Sequence, residues 1–246
     1  MDKRDIKTFS WLALFAIAMA FVETTVVVYL RKLYYPQGFN FPLNITIPSD
    51  VIFIETVREI CTIIMLLMVA FLAAKKIYQK FAYFIFAFAV WDIFYYIWLK
   101  VLIAWPSSLL TQDLLFLIPV PWMSPVLSPV LVSLSMIVLS FIIVNFSPKK
   151  IRKREWFLLI LGSVIIFISF IWDHTFAIIK DGFISKFSNA FLAKEFMNVI
   201  FTYIPSGYTW TAFLLGEVIA LFGVYLIYRN AKKDQKELRR EKNGLR

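Results

Sequence analysis

Residues 81–100 read FAYFIFAFAVWDIFYYIWLK. Only Asp92 and Lys100 carry charge in that run, and neither Gly nor Pro interrupts it. At about 1.5 Å of rise per residue, a helix of roughly 20 residues reaches about 30 Å, the thickness of a bilayer's hydrocarbon core. Lipid-facing strands are about half as long and alternate polar with apolar residues, so this run predicts a spanning helix. Five more stretches of the same kind follow the same logic. The expected spans are 8–30, 51–74, 81–104, 122–146, 156–178 and 209–228.

Composition agrees. Of 246 residues, 61% are hydrophobic and 17% charged, and the mean hydropathy is +0.75. Soluble domains hold about 45–50% apolar residues, and one soluble core of this length cannot bury the excess. The surplus must face lipid. With Gly at 7, Pro at 10 and Cys at 1, collagen-like and disulfide-framed chains are excluded, and high hydrophobicity excludes disorder. The fold class expected is all-α: a polytopic bundle of six transmembrane helices, residues 1–228, with a basic tail at 229–246. The apolar stretch 109–120 is too short to cross and is expected to form a re-entrant or interfacial half-helix on the outer side.

Basic residues orient the spans. Three precede span 1, three lie between spans 2 and 3, five lie between spans 4 and 5, and eight lie in the tail, 19 in all. The opposite side holds 5: Arg31, Lys32, Lys180, Lys186 and Lys194. Both termini are therefore expected in the cytoplasm, in a bacterial or archaeal plasma membrane. The net charge of +10 is then a topology signal, with contact to anionic lipid and no nucleic-acid partner. Lys3, Arg4 and Lys7 before an apolar run resemble a signal peptide, but the run continues to Arg31, which favours an uncleaved first span.

The connections are less specific. Pro121, Pro125 and Pro129 recur every four residues at the start of span 4, which suggests a kinked helix with Ser124 and Ser128 relieving freed carbonyls. Phe183, Phe187 and Phe191 with Lys186 and Lys194 suggest an amphipathic helix on the outer surface over 183–204. Asn44-Ile45-Thr46 is a weak glycosylation match. Cys61 reads as a small core residue.

Charges inside the spans carry the functional signal. Six acids (Glu23, Glu55, Glu59, Asp92, Asp173, Glu217) and two bases (Arg58, Lys100) lie there. Measured along each helix, all fall between the midplane and the outer face. The inner half of every expected span is free of formal charge. Ionised groups in hydrocarbon cost several kcal/mol each, so they pair, face the bundle interior or line water. Glu55, Arg58 and Glu59 share one helical face. Asp92, Tyr96 and Lys100 step by four along span 3. A surplus of acids needs protons or a cation to balance it. The opposing reading is a set of structural ion pairs and interhelical hydrogen bonds.

Carboxylates suit protons or hard cations, so a divalent cation is a candidate ligand. His174 is the single histidine and a candidate metal ligand or proton acceptor. Di-iron carboxylate, structural zinc, Walker, dinucleotide-binding and nucleophile-elbow patterns are absent. The expected site is an outward-opening acidic cavity of Glu23, Glu59, Asp92, Asp173 and Glu217. Glu55, Arg58 and Lys100 tune its charge, and Asp113 sits at its mouth. Binding or translocation of a cation or proton is the leading expectation. A membrane enzyme using paired carboxylates on a lipid or isoprenoid is the second, with Tyr95, Tyr96 and Trp98 against the apolar chain. A non-catalytic subunit of a larger membrane complex is the third, its protein partners unidentified.

Overall fold

A computed structural model describes residues 2–41, 43, 47–118, 120–146, 148, 150–180 and 207–244, with the side chains of 173–180 and 238–244 excepted. The segment 183–204 and the Asn44–Thr46 motif therefore lie outside the described residues. The fold is all-α and polytopic. Six long helices are α1 (Lys3–Tyr34), α2 (Ser49–Ala73), α3 (Ile77–Ile103), α4 (Leu127–Phe146), α5 (Lys153–Lys180) and α6 (Trp210–Gly244). Each is long and apolar enough to cross a bilayer. The start of α1 and the C-terminal part of α6 lie at one end of the bundle, beside Tyr83 and Phe146; the opposite end is called distal below.

Helix α3 is the centre. It packs on α1, α2 and α4, while α5 and α6 form a close pair that joins the rest through α4 and the segment 122–125. Its small residues Ala82, Ala87 and Ala89 are fully buried, which lets neighbouring backbones approach. The outer faces are apolar as well: Trp11 is 61% exposed, Leu72 88% and Phe157 63%. Such surface is stable only against lipid tails. Cys61 lies on an exposed face of α2, not in the core as its residue type suggested.

Glycine sets the α5–α6 seam. A Cβ on Gly162 would lie 2.7 Å from the Gly216 carbonyl oxygen, and one on Gly216 would lie 2.9 Å from the Gly162 carbonyl oxygen. Close backbone approach substitutes here for a hydrophobic drive that does not operate between helices already in lipid. The start of α5 is tied to α6 by Glu155. Its carboxylate accepts from the Arg152 backbone N–H at 2.7 Å and from the Asn230 amide at 2.5 Å, which caps the helix through the third-residue acid.

The expected half-helix is a β-hairpin instead. Strands β1 (Gln112–Phe116) and β2 (Trp122–Pro125) pair antiparallel, with Asp113 opposite Ser124 and Leu114 opposite Met123. The hairpin reaches down among the helices. Phe116 stacks on Phe88, which lies about 22 Å below the distal end of α3, and Trp122 packs on Phe167 and Phe170. Open backbone at that depth is tolerated because protein surrounds it. The proline reading changes with it. Pro125 ends β2 and Pro129 falls in the first turn of α4, so neither interrupts a helix. A missing N–H costs nothing in a first turn, where that donor has no intrahelical partner. Span 4 thus begins at Leu127, five residues later than the hydropathy suggested.

Candidate functional site

A cavity of about 140 Å³ lies in the distal half of the bundle, between α1, α2, α3 and the hairpin. Glu23 comes from α1, Glu55, Arg58 and Glu59 from α2, and Asp92 from α3. Arg31 and Asp113 complete its charged lining, giving five acids against two bases. Trp91, Tyr95, Tyr96 and Phe116 supply aromatic wall, and Val27, Leu30, Val51 and Ile52 carry an apolar slot upward between α1 and α2.

The charges fall into two paired sets and two unpaired carboxylates. Arg58 is shared: its Nε donates to Glu55 at 2.8 Å, and its terminal nitrogens face Glu55 and Glu23. The i, i+3 spacing on α2 makes the first contact, and the second crosses to α1. Glu23 also accepts from the Thr62 hydroxyl at 3.0 Å.

The second set is Arg31 with Asp113, at 3.1 Å and with both groups buried. The guanidinium lies against two rings, 3.8 Å from the centroid of Trp105 and 4.2 Å from that of Phe39. Burial pushes the Asp113 carboxyl up, against the pull of Arg31, the Leu114 N–H and the Tyr96 hydroxyl. Burial likewise pushes the neighbouring Tyr35 phenol up to about 12. Arg31→Lys keeps the charge but loses the planar fork and the stacking. It is expected to lower stability by about 1–2 kcal/mol. An unchanged unfolding midpoint in detergent would contradict this arrangement.

Glu59 and Asp92 make no ion pair among the described residues. Glu59 accepts from the Leu117 backbone N–H at 2.9 Å, where the chain leaves β1. Asp92 accepts from the Ser133 hydroxyl of α4 at 2.8 Å. Each is held by one neutral donor, leaving lone pairs free for another group.

Three of the five expected core residues, Glu23, Glu59 and Asp92, thus line one cavity, with Glu55 and Arg58 beside them. Glu217 does not join them. It is buried on α6 and bonds to Ser135 of α4, as interhelical glue. The side chains of Asp173 and His174 lie outside the described residues. Lys100 points away from the cavity; its ammonium donates to the carbonyls of Ala104 at 3.3 Å and Pro106 at 2.8 Å, closing the end of α3. The cause is helical drift: steps of four turn a stripe gradually around a helix of 3.6 residues per turn, so Asp92 and Tyr96 are buried while Lys100 is exposed. Asp113 is fully buried in the wall, not at an open mouth. Arg31 carries a topology charge and also belongs to the site: Glu23, Val27 and Arg31 step by four on α1, the spacing that places them on one face.

Among the described residues no three His, Cys, Asp or Glu side chains come together as a metal site would require. The arrangement is an amphipathic pocket: carboxylates at its base, aromatic rings around them and an apolar slot above. No protein-family model, no curated protein and no solved structure matches the chain.

Proposed function

We propose that this is an integral membrane protein that binds a proton or a cationic group in the pocket of Glu23, Glu59 and Asp92, reached from outside the cell. The excess of basic residues at the end carrying the termini supports a cytoplasmic placement of both. The observation that carries the reading is the pair Glu59 and Asp92. Two carboxylates in a membrane interior, each with one neutral hydrogen-bond donor and no ion pair among the described residues, call for a compensating positive charge. Arg58 is not available to them in full, because Glu23 and Glu55 already engage it. A proton or a monovalent or organic cation fits this chemistry better than a divalent metal, which needs a larger set of oxygens.

The test is infrared difference spectroscopy of the reconstituted protein across a pH step, reading the carbonyl stretch of protonated carboxyl groups. A band that titrates in the wild type should lose amplitude in Glu59→Gln and again in Asp92→Asn. A spectrum unaltered by both substitutions would end the proposal. Addition of tetramethylammonium at fixed pH separates proton from cation binding, since a bound cation displaces the band.

The apolar slot between α1 and α2 favours a second reading, in which the ligand is an amphiphile whose chain lies in the slot. That reading includes an enzyme acting on a lipid or isoprenoid. Retention of a lipid by the purified protein, lost when Val51→Trp fills the slot, would support it.

A further inference from the structure

At the opposite end of the bundle a second cavity, of about 270 Å³, lies where α2 ends and α3 and α5 begin. Its walls are apolar and aromatic, with Leu67 and Phe71 from α2, Phe81 and Phe84 from α3, and Trp156 from α5. Trp156 and Phe81 pack at 5.3 Å between ring centroids. The cavity is open along the protein's lipid-facing side, beside the 39% exposed Phe71 and the 64% exposed Ile77. Its rim is basic. Lys75 and Lys76 occupy the short α2–α3 connection, Lys80 follows one turn into α3, and exposed Arg152 and Lys153 start α5. Among the described residues none of these five bases is ion-paired with an acid. The Lys80 ammonium instead rests over the Phe71 ring, 4.4 Å from its centroid, directly at the cavity.

We infer that this groove holds one anionic phospholipid from the leaflet at the end that carries the termini. An acyl chain fills the space between Phe71, Phe84 and Trp156, and the phosphate lies among Lys75, Lys76 and Lys80. Charge complementarity selects the occupant. A neutral apolar molecule satisfies the walls and leaves the rim unanswered, whereas a soluble anion answers the rim and leaves the walls empty. Trp156 stands at the start of its helix, the depth at which amphipathic rings settle beside headgroups. The inference is independent of the carboxylate pocket, which lies in the other half of the bundle.

The experiment reconstitutes the full chain in phosphatidylcholine vesicles containing brominated phosphatidylglycerol or, separately, brominated phosphatidylcholine. The quantity read is quenching of the fluorescence that Trp156→Phe removes. Phosphatidylglycerol is expected to quench that component several-fold more effectively than phosphatidylcholine. Lys80→Gln should reduce the preference by about five-fold, the weight of one base beside an anionic surface. Lys75→Gln with Lys76→Gln should reduce it further. All three bases lie between spans 2 and 3 and belong to the orienting set, but Lys80→Gln removes only one of its 19 members and is therefore decisive alone. A control, Lys232→Gln with Lys233→Gln and Lys236→Gln in the tail, should leave the preference intact. Equal quenching by both lipids in the wild type, persistence of the preference in Lys80→Gln, or its loss in the tail variant would each overturn the inference.

Discussion

Arg58→Met is expected to destabilise the protein by about 3–5 kcal/mol, the usual cost of stripping one partner from a buried ionic set. Arg58 neutralises Glu23 across the α1–α2 boundary and Glu55 on its own helix. Its side chain is only 21% exposed, and the two carboxylates are less so, at 9% and 13%. Methionine fills much of the same volume but leaves both acids without a counter-charge in a medium that solvates neither. The loss should be read as a lower midpoint of reversible unfolding in mixed detergent. The informative companion is the triple variant with Glu23→Gln and Glu55→Gln added. It removes the stranded charges, and the amide oxygen that Glu23→Gln introduces can still accept from Thr62, so most of the stability should return. If the triple variant is as unstable as Arg58→Met, packing of the arginine stem rather than charge explains the loss.

The second large effect is expected at Gly162. Gly162→Ala places a methyl 2.7 Å from a backbone oxygen and 2.8 Å from the Ala220 Cβ and backbone nitrogen. None of those atoms can rotate away, so α5 and α6 must separate. Overpacking of this kind costs about 1–3 kcal/mol or more, and Gly162→Val should prevent stable assembly. Gly223 on the same seam offers a comparison. A Cβ there meets Leu158 at 3.2 Å and Leu159 at 3.4 Å, contacts that small shifts can relieve. The expected order of thermal stability is wild type, Gly223→Ala, Gly162→Ala, Gly162→Val. Equal behaviour of the two alanine variants would mean that the seam does not depend on backbone approach.

The pocket and the seam show different degrees of legibility. Glu55, Arg58 and Glu59 announce a shared face by spacing alone, and α2 keeps them on it. Glu217 was equally conspicuous in the sequence, at similar depth, yet its helix directs it to Ser135 and away from the others. Depth follows from counting residues along a span, but the direction of a side chain around the bundle axis follows from which helices are neighbours. No single-chain pattern encodes that neighbourhood. The hairpin failed for a related reason. A dozen apolar residues suit a buried strand pair as well as a half-helix, and local periodicity does not separate them.

Read by itself, the sequence determined that the chain holds six stretches long and apolar enough to cross a membrane, and it led to the expectation that the basic residues gather at one side and the charges within the spans fall in one layer. These are properties of length and composition along each helix, fixed by the cost of placing polar atoms in hydrocarbon. Only the tertiary structure decided that Arg31 and Asp113 form a buried pair, that Lys100 closes a helix end, and that Glu59 and Asp92 make no ion pair among the described residues. Those outcomes depend on distances between segments remote in the chain, and such distances are set when α3 becomes the helix on which α1, α2 and α4 pack.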